Sequence, residues 1–155
     1  MKVSKFIVSV DSVIFGYKDG VLYTPLYKRG AANDDPFPGC WSLPGGPIQN
    51  EETFEDACKR KLEEDLGLKV TYLEQLYTYG SPLRDPRDRA ISVSYFALIK
   101  IDSDSLETGN NISSAKWFPI HNIPQTRWAF DHNQILDTAL KRIAAKVRYE
   151  PIGFN

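Results

Sequence analysis

Residues 43–67 read LPGGPIQNEETFEDACKRKLEEDLG, a glycine pair followed by a helix whose charges do not all belong to one face. Thr53 with Asp56 three residues on resembles a capping box, and Gly67 supplies a stop, so one helix is predicted between them. At about 100° per residue, Phe54, Cys58, Leu62 and Leu66 line one side and Asp56, Lys59 and Glu63 the opposite one. Arg60, Lys61, Glu64 and Asp65 join neither set. They occupy the flank around Ala57, beside the apolar stripe, where the helix meets the rest of the fold. Charges placed there cost desolvation unless they pair or hold an ion. Two readings are open. One is a set of ordinary i,i+4 surface pairs. The other is a site for phosphate chemistry. Gly45-Gly46 lets backbone approach a ligand without a Cβ in the way, and a carboxylate pair supplies hard oxygen ligands of the kind Mg²⁺ or Mn²⁺ prefers.

The flanking segments bound the architecture. Two β-branched and aromatic runs, 6–17 and 21–29, surround Lys18-Asp19-Gly20, and the Asp-Gly step predicts an antiparallel hairpin. Pro25 places the second of these strands near an edge or a bulge. Further strand-like runs occupy 68–79, 90–101 and 113–120, and 131–147 forms a last helix with Ile135, Leu136, Leu140, Ile143 and Ala144 on one face. Several strands with two inserted helices predict an α/β fold, a sandwich built on a mixed β-sheet. With 155 residues, 42% of them hydrophobic, the chain fits one core, assigned to residues 1–147 with 148–155 as a C-terminal tail.

Charge and cysteine usage exclude broad classes. Nineteen Lys plus Arg against 20 Asp plus Glu give a formal charge of −1, so no general field draws nucleic acid or an anionic membrane. A polyanionic ligand must be held by local charge or metal. Cys40 and Cys58 lack zinc-type spacing, and a cytoplasmic setting is the default for a chain with no disulfide scaffold. The start MKVSKFIVSV meets Asp11 at once and offers no evident cleavage site, and no apolar stretch approaches the ~20 residues of a membrane span.

The segment from Gly46 onward also has a family's spacing. Gly46, five residues, Glu52, seven residues, then Arg60, Lys61, Leu62, Glu63, Glu64, Asp65, Leu66, Gly67 and Leu68 resembles the signature of the Nudix hydrolases, and so does the preceding Trp41-Ser42-Leu43-Pro44-Gly45. The resemblance implies the Nudix fold, a mixed β-sheet sandwiched between helices, and cleavage of the phosphoanhydride in a nucleoside diphosphate linked to another group. It implies that the carbonyl of Gly45 with Glu64 and Asp65 would hold Mg²⁺, Mn²⁺ being possible. Arg60 would pair with Glu52 to fix the loop against the helix, so Glu52, Arg60 and Glu64 make the catalytic set. A metal-polarised water would attack phosphorus. Two departures stand in the same stretch. Lys61 replaces the first helix glutamate and Asp65 the last. An ammonium neither coordinates a cation nor tolerates one beside it.

The loop GSPLRDPRDR (80–89), the tripeptide FDH (130–132) and the ending KVRYEPIGFN resemble a narrower group, the ADP-ribose pyrophosphatases and the Nudix-related regulators of NAD metabolism. Those regulators carry a winged helix after the Nudix domain, and with eight residues after Val147 none is expected here. Arg84, Arg87 and Arg89 offer planar forks suited to phosphate oxygens, against the alternative of a solvated turn with internal ion pairs. Arg29 joins them by similarity to the family, and Lys61 adds a fixed charge. His132 reads as a structural histidine, with ligand contact as the alternative. Tyr77, Tyr79 and Phe96 read as core, with adenine stacking as the alternative. The expectation is a metal-dependent pyrophosphatase acting on ADP-ribose or a related small-molecule nucleotide, slowed by Lys61. The alternative is a domain that binds ADP-ribose as a sensor. No nucleic-acid or membrane partner is expected, and the resemblance implies a homodimer.

Overall fold

A computed structural model of the chain describes residues 2–103 and 105–149. Strand β1 (Ile7–Lys18) turns into β2 (Val21–Arg29) through Asp19 and Gly20, whose φ values of 51° and 80° are both left-handed, as the tightest hairpin turn requires. β1 then runs parallel to β6 (Ala90–Lys100), in register from Ile7 opposite Ala90 to Tyr17 opposite Lys100. β5 (Glu74–Tyr79) closes one side of β6, and β7 (Ile112–Pro119) closes the outer side of β2, both antiparallel.

β1 and β2 pair only at the hairpin end, Gly16–Lys18 with Val21–Tyr23, and then part. Two short strands fill the opening. β3 (Trp41–Ser42) pairs with Tyr27 and Lys28 of β2, and β4 (Gly45–Pro47) pairs with Ser9, Val10 and Asp11 of β1. Residues 43 and 44 therefore cross from one arm of the split to the other. This splay positions everything that follows.

Pro25 is explained by the same geometry. The Ile120 amide donates to Leu22, so even-numbered residues of β2 bond β7 and the Pro25 nitrogen faces the other side. There it falls between the end of pairing with β1 and the start of pairing with β3, where a missing donor costs no ladder bond. β2 is thus flanked on both sides, and the expected edge position is replaced by this gap.

The sheet separates two cores, and side chains alternate between them with the period of a strand. Val10 and Ile14 of β1 and Val93, Tyr95 and Ala97 of β6 pack under α1 (Phe54–Leu66) with Ala57, Cys58 and Leu62. Val13 and Phe15 of β1 and Phe96 of β6 pack under α2 (His132–Tyr149) with Ile135, Leu136, Ala139 and Ile143. Each fully buried Leu, Ile or Phe contributes about 1.5–3 kcal/mol, so the two faces together hold the layers. α1 starts and stops where its caps dictate. The Thr53 hydroxyl accepts from the Asp56 amide at 3.1 Å, and Gly67, at φ 67°, and Leu68 donate back to Glu63 and Leu62.

Some expectations shift. Phe54 begins the helix but is 37% exposed, and it is not among the buried residues of α1. On α2, Ala139 is buried and Ala144 is exposed. Residues 68–73 form no strand: Leu68, Val70 and Leu73 pack under α1 as an irregular segment, which gave them an apolar pattern without a ladder. Of the tail expected at 148–155, residues 150–155 lie outside the described residues. Among the described residues, no helix is long and apolar enough to cross a membrane.

Candidate functional site

A cavity of ≈ 520 Å³ opens at the mouth of the β1/β2 split. One wall is the β3–β4 crossing backed by α1, the floor is β1, and the opposite rim comes from the end of β2 and the 84–88 loop.

On the α1 wall, Arg60 ties the loop to the helix. Its guanidinium donates to Glu52 at 3.0 and 2.7 Å, to the Pro47 carbonyl at 3.1 Å and to Glu64 at 3.3 Å. The Arg60 hydrogen bonds hold the Glu52 carboxyl below its ordinary value. Lys61, one residue on, turns into the cavity. Its Nζ lies 3.0 Å from Asp65 Oδ1 and 3.5 Å from Glu64 Oε2, and its side chain is only 20% exposed. Asp65 also accepts the Gly45 amide at 3.2 Å. Burial pushes the Asp65 carboxyl above 3.8, and Lys61 and the Gly45 amide offset only part of that. The first glycine of the pair is needed for the close approach to β1, and the second leaves room beside Lys61. A Cβ on Gly45 would meet the Val10 carbonyl and Asp11, and one on Gly46 would sit 3.2 Å from Lys61 Cε.

The floor is a buried ionic network. Asp11, 5% exposed, projects from β1 on the α2 side of the sheet. It accepts from Ser92 Oγ at 2.6 Å, faces His132 Nε2 at 3.3 Å and lies 3.7 Å from Arg84. His132 Nδ1 accepts the Leu43 amide at 3.0 Å, which leaves the ring proton on Nε2, facing Asp11. Arg84 grips Asp131 with both arms of its fork, at 3.0 and 2.7 Å. Burial alone would raise the Asp11 carboxyl, but the His132 ring, Ser92 and Arg84 outweigh it and hold it below 3.8.

At the rim, Arg29 Nε donates to both oxygens of Asp35, and its Nη1 reaches Tyr27 Oη and Ser42 Oγ at 3.3 Å each. Asn111 ties the same carboxylate to the loop before β7 at 3.0 Å. Burial works against the Asp35 charge, yet Arg29 and the Phe37 amide lower its carboxyl below 3.8. Arg87 pairs with Asp85 and is half exposed.

The family model described as NUDIX domain matches residues 5–139. The chain belongs to the Nudix family. It is 36% identical over 129 residues to the ADP-ribose pyrophosphatase of Methanocaldococcus jannaschii, covering 83% of this chain and 70% of that protein. It is 32% identical over 151 residues to the ADPR responsive transcriptional repressor NtrR of Acinetobacter baylyi, covering 96% of this chain but only 59% of the repressor. The NUDIX domain of Shewanella oneidensis NrtR, solved with ADP ribose, superposes with a TM-score of 0.81 at 34% identity, covering 91% of this chain and 90% of that one. This Nudix chain is therefore related both to ADP-ribose pyrophosphatases and to the ADP-ribose-responsive regulators.

Of the site residues expected from sequence, this Nudix chain brings Arg29, Gly45, Lys61, Asp65, Arg84 and Arg87 to the cavity and clasps Glu52, Arg60 and Glu64 beside it. Arg89 is not brought in. It donates to the Gly80 carbonyl at 3.0 Å and lies 4.8 Å over the Phe6 ring, outside the lining. Arg84 lines the cavity, but its fork is engaged by Asp131. Phe96 is core, Tyr79 bonds Thr138 on α2, and Tyr77 is exposed, so none of the three meets the cavity. His132 is the structural histidine of the FDH tripeptide, and it also lines the site. Sequence reasoning missed Asp11, Tyr27, Asp35, Asn111 and Phe130. Asp11 did leave a signal, as a lone carboxylate inside an apolar strand run, FIVSVDSVIF.

Proposed function

We propose that this cavity takes ADP-ribose or a closely related nucleoside diphosphate derivative, and that the domain binds it with hydrolysis slow or absent. The observation carrying this reading is the Lys61 ammonium seated against Asp65 and Glu64 on the cavity wall. It supplies a fixed positive charge toward a diphosphate, and it satisfies the two carboxylates that a metal would otherwise need. As arranged, Glu64 and Asp65 do not fit a resident divalent cation: one is bonded to Arg60 and both face an ammonium. Among the described residues, no group of three or more His, Cys, Asp or Glu is gathered as a ligand set. The ADP-ribose held by the Shewanella domain, at 34% identity, supports the ligand class. Arg29 and Arg87 at the rim are the arginines assigned to the phosphates, with Arg84 holding the floor. The homodimer and the cytoplasmic setting are carried forward as expectations from family likeness and cysteine usage.

A second reading is favoured by one specific arrangement. Arg60 bonds Glu52 and Glu64 as the Nudix signature implies, and with Asp65 beside them a Mg²⁺- or Mn²⁺-dependent pyrophosphatase is the alternative. Calorimetric titration with ADP-ribose in EDTA and in Mg²⁺, with AMP release followed by chromatography, separates the two. Binding in EDTA, with AMP release in Mg²⁺ slow or at the level of the buffer blank, is the expected result. Binding that requires metal, accompanied by rapid AMP release, establishes the second reading, and no binding under either condition sinks both.

A further inference from the structure

Phe130 has a backbone φ of 50°, the left-handed region where a bulky side chain is a costly occupant. Such conformations persist when their surroundings over-determine them. Here the next two residues are fixed from both sides: Asp131 is held by Arg84, and His132 is held between the Leu43 amide and Asp11. The consequence is that the Phe130 ring stands in the cavity wall. The guanidinium carbon of Arg29 lies 5.1 Å from the ring centroid and that of Arg87 5.8 Å, both within cation–π reach. Phe37 packs against the ring at 4.6 Å.

The two arginines each have a carboxylate partner, Asp35 and Asp85. A carboxylate orients a guanidinium but cancels its charge. An aromatic ring orients it through the quadrupole and leaves the charge available. We propose that Phe130 is a positioning residue whose ring holds Arg29 and Arg87 toward a single anionic group in the cavity, the diphosphate of the ligand. This rests on the reading that the cavity takes a nucleoside diphosphate. The FDH tripeptide then organises charge at three points: Phe130 aims two arginines, Asp131 pins a third, and His132 anchors the floor.

The test is a mutant cycle with a ligand-free readout. Phe130→Leu is expected to weaken ADP-ribose binding about tenfold, the worth of two modest cation–π contacts. Phe130→Tyr, which keeps the ring, restores it. On an Arg87→Met background, where Arg29 alone remains over the ring, Phe130→Leu is expected to cost only about threefold, and the salt dependence of binding flattens in Phe130→Leu. Wild-type affinity in Phe130→Leu, or an equal loss on both backgrounds with an unchanged salt dependence, overturns the proposal in favour of plain packing. Side-chain ¹⁵N spectra read the same claim without ligand: the Nε–H signals of Arg29 and Arg87 are expected to shift and exchange faster in Phe130→Leu. Unchanged signals overturn the proposal even if the wild-type protein binds no ADP-ribose, an outcome that would refute only the ligand reading. Phe130→Met serves the same measurements if the leucine variant does not fold.

Discussion

Lys61 Nζ stands 3.0 Å from Asp65 Oδ1, one helical turn along α1, and 3.5 Å from Glu64 Oε2. The partnership places an ammonium between two carboxylates on a wall of the cavity, where it faces any ligand that enters. Replacing Lys61 by Glu turns this into three adjacent carboxylates. In EDTA the expected cost is about 2 kcal/mol, between an exposed pair and a broken buried one, or a Tm lower by roughly 4–8 °C. Mg²⁺ or Mn²⁺ should restore the lost stability, because the variant has a ligand set that wants a cation. AMP release from ADP-ribose in Mg²⁺ should rise at least about tenfold over wild type if the ammonium blocks the metal. A fall in AMP release would assign Lys61 a positive role in turnover.

Arg29 reaches Asp35, Tyr27 and Ser42 through a planar fork that lysine cannot reproduce. Under the proposed function, Arg29→Lys keeps the charge and loses the aim, so ADP-ribose affinity should drop about tenfold. Calorimetry checks this, with the melting temperature as a control for the loop that Asp35 and Asn111 tie together. Unchanged affinity would remove Arg29 from the phosphate site.

What the sequence disclosed was what neighbours along the chain decide. Thr53, Asp56 and Gly67 act within one helix, and Asp19-Gly20 within one turn, so α1 and the first hairpin were legible with their ends. The inward flank of α1 was legible for the same reason, since a 3.6-residue period places Lys61 and Asp65 together. The floor was not. The Leu43 amide meets His132 across 89 positions, and Arg84 meets Asp131 across 47, partners that no local pattern announces. Arg84 was read with Arg87 and Arg89 as a phosphate fork, and tertiary burial turned it to Asp131 instead. β3 and β4 escaped because strands of two and three residues carry no period, although they bridge the split that makes the cavity.

Gly45 lies so close to β1 that an added Cβ would overlap the Val10 carbonyl and Asp11. The Val10 carbonyl and the Asp11 Cα are backbone, and the Asp11 carboxylate is held by Ser92 and His132, so none of them moves aside cheaply. Gly45→Ala should therefore cost about 2–3 kcal/mol, the upper part of the range for overpacking, and should displace the amide that bonds Asp65. Gly20→Ala is the comparison: its Cβ meets nothing within 4 Å, and only the left-handed φ of 80° penalises it, by about 1 kcal/mol. Chemical denaturation of the two variants measures the difference. Equal destabilisation would mean that the β4–β1 approach is looser than these contacts require.

Asp11 and Asp65 line one cavity but respond to pH with opposite signs. The Asp11 carboxyl is held below 3.8, so its contribution to stability is present above that pH and is lost as pH falls through its folded value. The Asp65 carboxyl is held above 3.8, so its contribution is present below 3.8 and is lost as pH rises through its folded value. Two substitutions separate them. Asp11→Asn leaves His132 and Ser92 facing an amide in a site 5% exposed, and should cost about 3 kcal/mol at pH 7 while flattening the loss of stability between pH 4 and 3. Asp65→Asn imitates the protonated acid, so it should be more stable than wild type at pH 7 and indistinguishable from it near pH 3. Urea unfolding across pH 3–7 gives both curves. A destabilised Asp65→Asn at pH 7 would mean that Lys61 more than offsets the burial of its partner, and that the carboxylate on the cavity wall is held by its ion pair rather than kept there against a cost.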